Sequence, residues 1–273
     1  PGPVSMVGDA GRPVIVKRLD ARRPWGALVI QGRKAGNSRI AFAKISGGSL
    51  DTLDNVSYLG MVNVHGADGF RLENSVLDSN TNSDDTLHIV HSEFSISNTT
   101  LRDCFGDCID FDYARGTVEN LDISGAGNDG VDFMTSRVTL GKVRIDGAGD
   151  KGLSVGEKSY VTATEGSIGR ALIGIAVKDR STLVLGQWRL AENGVGMDVY
   201  KKNWRYGGPG RVEMSDSVIE GNTVNLRVAA GGRVQLRNMG IPLATEGDGE
   251  IVAVEKVTSA PTFVWRRTAW TAS

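Results

Sequence analysis

Apolar and polar residues alternate in short runs that return at a fixed interval. Leu87, Ile109, Val131, Leu153, Ile175 and Met197 follow one another at steps of 22 residues. Each opens a run whose first and third positions are apolar, as in Ile109-Asp110-Phe111-Asp112 and Val131-Asp132-Phe133-Met134. A period of two predicts a short strand with one buried face. A second apolar column, Ile96, Val118, Leu140, Val161, Leu183 and Val212, predicts another strand in each unit. A third column, Leu101, Ile123, Ile145, Ile168, Leu190 and Ile219, predicts one more. Three strands per unit with no helical stretch between them predict a coil that makes one turn per repeat. The spaced Leu and Asn signature of a leucine-rich repeat is missing. The expected fold is all-β, a right-handed parallel β-helix of about nine rungs of roughly 22 residues each. Gly130, Gly152, Gly174 and Gly196 precede the first column. They point to either a positive φ or a close backbone approach there.

The periodicity also divides the chain. Residues 1–24 are aperiodic and read as an N-terminal cap or lead-in, needed because an open solenoid end exposes unpaired strands. Residues 25–240 form the expected β-helix, beginning with a strand in 25–32, and residues 241–273 a C-terminal cap or tail. From Met197 to Leu226 the interval grows to 29 residues. The surplus is a basic, aromatic loop at 201–210, and solenoid insertions often lie on the binding face. Tyr200, Lys201, Lys202, Trp204, Arg205 and Tyr206 are therefore candidate ligand-binding residues, a platform for sugar stacking or an anionic ligand. A structural anchor for the loop is the alternative.

A net charge of −1 and a pI of about 6.4 leave no global basic field, so nucleic acid is not an expected partner. No apolar run approaches the roughly 18 residues of a membrane span, and no signal peptide opens the chain. Pro1-Gly2-Pro3 reads as a mature or excised boundary. The expected location is secreted, periplasmic or cell surface. The 36 glycines suit a turn-rich solenoid. Cys104 aligns with Ala126 and Ala148, and Cys108 with Gly130 and Gly152, which favours small-residue packing for both. A disulfide and a metal pair are the alternatives.

Stacking turns register into spatial columns about 4.8 Å apart. The turn column reads Asp85, Asp107, Asp129, Lys151, and the first outward column His88, Asp110, Asp132, Ser154, Ala176, Asp198. The next outward column reads Val90, Asp112, Met134, Gly156, Lys178, Tyr200. Like charges at this spacing repel by roughly 3–4 kcal/mol per pair at an effective dielectric near 20. A bound cation, a raised pKa, turn amides or solvent must offset that. Asp107, Asp110, Asp129 and Asp132 are the candidate metal ligands, and an all-oxygen set suits calcium (Ca2+). A structural ladder of turn-forming Asp and Asn is the competing reading.

Asp110, Asp132, Lys151 and Lys178 are the candidate catalytic residues. Asp110 and Asp132 are neighbouring carboxylates able to act as acid and base on a glycosidic bond. Alternatively, a β-elimination needs a positive group beside a uronate carboxylate and a base such as Lys178, Lys151 or Tyr200. A solvated face is the plainer expectation for Lys178 and Tyr200. His65, His88 and His91 show no metal-ligand spacing, and His88, at the head of the Asp110 column, reads as a surface imidazole.

Several of these segments resemble a known group. Gly127-Asn128-Asp129-Gly130-Val131-Asp132-Phe133, residues 149–159, Ile173-Gly174-Ile175-Ala176-Val177-Lys178-Asp179 and Tyr200-Lys201-Lys202 are similar to bacterial right-handed β-helix proteins found alongside CotH-type domains. Pro24-Trp25-Gly26 and Ser83-Asp84-Asp85-Thr86-Leu87 share that resemblance, which implies the fold and an extracellular or envelope setting. More loosely, Gly106-Asp107-Cys108-Ile109-Asp110 and Asn128-Asp129-Gly130-Val131-Asp132 resemble the acid motifs of pectin-active β-helix enzymes. Lys151 stands where those enzymes have histidine, so hydrolysis by their mechanism is not implied. The expected function is binding or processing of a polysaccharide along the strand face, cation-assisted. The rivals are an active lyase or glycosidase, and a scaffold contacting other envelope or secretion subunits through Trp204, Trp265 and Trp270.

Overall fold

The computed structural model describes residues 2–239 and 245–254. They form a parallel β-solenoid of about eight turns with about 22 residues per turn. The first apolar column becomes one sheet, with Leu87, Ile109, Val131, Leu153, Ile175, Met197 and Leu226 in direct register. Its strands include Gly60–His65, Asp85–Val90, Asp107–Asp112, Val131–Met134 and Val195–Tyr200. The third sheet pairs Leu101, Ile123, Ile145, Ile168, Leu190 and Ile219 as expected.

The second sheet departs from its expected column after Leu140. Ile96, Val118 and Leu140 are in register, but the next rung places Ala163 opposite Leu140 and Val161 opposite Val138. The turn between them is longer: Glu157 and Lys158 both take positive φ, where earlier rungs use one such residue, His91, Tyr113 or Thr135. A two-residue slip preserves parity, so Val161 and Ala163 are both interior.

The lead-in is built into the coil. Ser5–Val7 pairs with Arg39–Ala41 in the second sheet and Val14–Val16 with Ala43–Ser46 in the third. Within residues 25–32 the strand is Leu28–Gln31. An antiparallel hairpin, Asp51–Leu53 with Val56–Tyr58, stands outside the coil. The C-terminal residues 255–273, with Trp265 and Trp270, lie outside the described residues. The glycines before the first sheet serve close approach: a Cβ at Gly130, Gly152 or Gly174 would stand 2.5–2.6 Å from the carbonyl oxygen of the next rung, and none has positive φ.

Cys104 and Cys108 are disulfide-bonded, not merely small-residue packing. Cys104 does align with Ala126, but it ends a third-sheet strand while Cys108 begins a first-sheet strand. Both side chains turn into the same buried corner. The loop they close is short, so chain entropy gives only about 2 kcal/mol. Reduction is expected to lower the free energy of unfolding, measured in urea, by that amount.

Candidate functional site on the first sheet

The outward faces of the three sheets differ. On the third sheet, charges form exposed pairs such as Arg102–Asp78 at 3.1 Å and Arg189–Glu220 at 3.0 Å, which contribute little to stability. On the first sheet they are withdrawn from water: side-chain exposure is 2% for Asp85 and Lys178 and 8% for His88 and Lys151. Burying charge is costly, and no demand of the fold explains so much of it on one strip.

The acids divide into two groups. Asp107, Asp129 and Asp132 bring one carboxylate oxygen each to within 4.8 Å of one another. Asp110 belongs instead with Asp85 and His88, whose ligand atoms converge equally closely. The four acids expected to form one set are thus split, because Asp110 leans towards His88, with Oδ2 3.7 Å from Nε2. Each group brings three ligand atoms together and is thereby a candidate metal site.

In the first group, Asp107 Oδ1 accepts the Asp129 amide and the Asn128 side-chain amide, both at 2.7 Å. Asp129 Oδ1 accepts the Lys151 amide at 2.9 Å, with Lys151 Nζ at 3.3 Å. Asp132 Oδ1 accepts the Phe133 amide at 3.0 Å. Asp107 and Asp132 each keep one free oxygen, while Asp129 Oδ2 also accepts from Lys151 Nζ at 3.5 Å, so the group falls well short of the six to eight oxygens that calcium takes. The group can anchor calcium only if a ligand completes the shell.

Burial and crowding govern protonation here. Burial, then repulsion from Asp85 and Asp112, pushes Asp110 up to about 10. Burial and the neighbouring Asp129 raise Asp107 to about 7 against the two hydrogen bonds it accepts. Burial and Asp107 hold Asp85 well above the usual carboxylate range, while burial raises Asp129 against the opposing charge of Lys151. Burial acts to lower Lys151, but its hydrogen bond to Asp150 and attraction to Asp129 overcome this and raise it. His65 is lowered to about 4 by burial and by His88.

Lys178 and His88 are not the surface groups their positions predicted. Lys178 Nζ donates to Ser154 Oγ at 2.7 Å and lies 3.7 Å from Asp132 Oδ1. Its stem crosses Gly156, where a Cβ would stand 2.5 Å from Lys178 Cε. His88 lies between Asp85, at 3.6 Å from Nδ1, and Asp112, at 3.4 Å from Nε2. Its ring also meets His65 edge to face at 5.2 Å, and His65 in turn meets Tyr58 of the hairpin. Tyr200 is half-buried. Burial raises its phenol, opposed by Lys178 and Lys151.

The inserted loop borders this strip. Its Lys202 and Asn203 amides both donate to Asp179 Oδ1 at 2.8 Å, and Trp204–Tyr206 forms one 3-10 turn. Tyr206 faces back, with Lys158 Nζ 5.9 Å from its ring centre. Lys201, Lys202, Trp204 and Arg205 are exposed, with Arg205 over the Trp204 ring. Asp85, Asp112, Ser154 and Asp179 had no assigned role in the sequence reading. The first three stand in columns already recognised, so column membership is the signal that would have found them. Asp179 carries no such signal.

A parallel solenoid with one buried, ionisable outward face defines the class of the molecule. The chain belongs to the right-handed β-helix family: the family model described as a right handed beta helix region matches residues 63–241. The match concerns the repeat fold and does not extend to the CotH-associated group. No curated protein matches the chain. Among solved structures, the A-module of the Azotobacter vinelandii mannuronan C-5 epimerase AlgE6 is similar, at 15% identity and a TM-score of 0.44, covering 86% of this chain and 84% of that one.

Proposed function

We propose that the outward face of the first sheet binds an acidic polysaccharide, with the polymer lying along the coil axis. The observation that carries this reading is the strip of polar groups along the outward face, in which Asn63, His88, Ser154, Lys178 and Asp198 are buried and Asp110, Asp132 and Tyr200 half-buried, interrupted at Ala176. Rungs about 4.8 Å apart present a repeating set of donors and acceptors to a linear repeating ligand. Lys151, Lys178 and Arg227 supply positive charge for uronate carboxylates. Trp204 and Tyr200 flank the strip as stacking surfaces. Asp107, Asp129 and Asp132 would hold calcium together with uronate oxygens, so calcium is assigned to polymer binding and not to the fold.

Processing of the polymer is a second reading, favoured by the burial of Lys178 beside Asp132 and Tyr200. Lys178 would stabilise negative charge on a uronate carboxylate as deprotonated Tyr200 takes the adjacent ring proton, the neighbouring C–O glycosidic bond breaks with formation of a C=C bond, and the departing oxygen takes the proton back from Tyr200. Asp110 and Asp132 lean towards different partners, His88 and Lys178, which speaks against their acting as one acid-base pair. No observation favours the scaffold reading. The disulfide supports an oxidising compartment, and we place the protein in a secreted, periplasmic or cell-surface setting.

Calorimetric titration with polyuronates and neutral glucans tests the proposal. Binding of polyuronate alone is expected, strengthened by calcium, and weakened at least tenfold, about 1.4 kcal/mol, in Lys178→Met with an unchanged far-ultraviolet spectrum. Equal binding of neutral glucans, or an unaffected Lys178→Met, would overturn it. Unsaturated uronate ends appearing with wild type and absent with Lys178→Met would establish elimination.

A further inference from the structure

We propose that Asp85, His88 and Asp110 form a site for a divalent first-row transition-metal ion, a function that does not depend on the polysaccharide reading. Three observations converge on it. The ligand atoms of the three residues lie within 4.8 Å of one another. Asp85 Oδ2, His88 Nδ1 and Asp110 Oδ1 are all buried without a hydrogen-bond partner, and the Asp85 and His88 residues are 1% and 6% exposed. Buried polar atoms rarely go unpaired, and here three do so in one place.

The third observation is geometric. Asp85 Oδ2 and His88 Nδ1 are 3.6 Å apart, too far for a hydrogen bond. An ion with bonds of about 2.1 Å to both would span that gap at an angle of roughly 120°. The other ring nitrogen, Nε2, lies 3.4 Å from Asp112 Oδ2. A carboxylate behind the second nitrogen is the usual support of a metal-bound histidine, since it sets the tautomer and the ring orientation.

The donor set narrows the ion. One imidazole and two carboxylates suit zinc, manganese, iron, cobalt or nickel, whereas calcium prefers oxygen alone. A doubly charged cation would also balance Asp85 and Asp110. Three protein ligands leave a coordination position open, and the Asp110 side chain, 20% exposed, gives that position access from the outward face of the sheet.

Titration of chelator-treated protein with Co2+, followed by visible absorption, tests the site. One equivalent is expected to bind, with the ligand-field bands lost in His88→Gln and affinity at least tenfold weaker in Asp110→Asn. Asp107→Asn, in the neighbouring acid group, is expected to keep binding. Calcium at equal concentration is expected not to displace cobalt. Far-ultraviolet circular dichroism checks the fold of each variant, and if His88→Gln does not fold, the partly exposed Asp110→Asn carries the test. No uptake by wild type, full uptake by a folded His88→Gln or by Asp110→Asn, loss of uptake in a folded Asp107→Asn, or displacement by calcium would overturn the proposal.

Discussion

Raising the pH from 5 to 8 is expected to lower the stability of chelator-treated protein by on the order of 3 kcal/mol. Asp107 and Asp110 are raised in the fold to about 7 and about 10 from an ordinary value of 3.8. The folded state therefore keeps protons that the unfolded chain releases. Their contribution is complete below about pH 4 and is lost as the pH climbs through the folded-state values. His65 acts in the opposite sense. Its value falls from 6.5 to about 4, so its contribution is present above 6.5 and lost as the pH falls towards 4. The slopes oppose one another between these limits, and above 6.5 the acids act alone. Each group fully out of step would give about 1.4 kcal/mol per pH unit, reduced here by water reaching Asp110. Urea unfolding across the range measures the slope. Asp110→Asn should remove a large part of the decline above pH 7, where Asp107 is already half titrated and Asp85, also raised, contributes the remainder. An unchanged slope in that variant would show that Asp110 does not hold its proton.

Phe111→Ala is expected to cost about 3–5 kcal/mol. Phe111 is fully buried, stacked on Phe94 at 4.5 Å between ring centres and packed against Phe133 at 5.5 Å. Its removal opens a cavity and breaks two aromatic contacts, each worth about 0.5–1.5 kcal/mol beyond area burial. A solenoid rung touches only its neighbours, so the damage should be local. Hydrogen exchange should lose protection in Asp107–Asp112 and Val131–Met134 and retain it in Val195–Tyr200. The affected strands carry Asp110 and Asp132, so polymer binding should weaken in step. Uniform loss of protection along the whole coil would show that the rungs unfold as one unit.

Much of the fold was legible because a solenoid repeats a local rule. Leu87 through Leu226 and Leu101 through Ile219 pair as their spacing predicts, since a parity-two strand exposes its inward face in the sequence itself. The second column slipped after Leu140 because turn length is set by residues such as Glu157 and Lys158, which carry no apolar signal. The candidate site was legible only as columns. Asp107, Asp129 and Asp132 do meet, but nothing local showed that Asp110 would turn from them towards His88. The two cysteines were aligned correctly and still misread, because alignment to small residues says nothing about two side chains meeting across a corner.

By itself, the sequence determined the period, the inward face of each strand and therefore which charged residues share a strip. Only the tertiary structure decided which of those outward groups are withheld from water. Parity says on which side of a sheet a side chain lies. Burial on that side depends on what neighbouring rungs place beside it: Gly156 leaves room for the stem of Lys178, Ser154 and Asp132 receive its amine, and Asp85 and Asp112 enclose His88. Those contacts join residues a full turn or more apart in the case of Lys178 and Asp112, and the energy of a buried charge is set by such neighbours and not by the residue's own position in the chain.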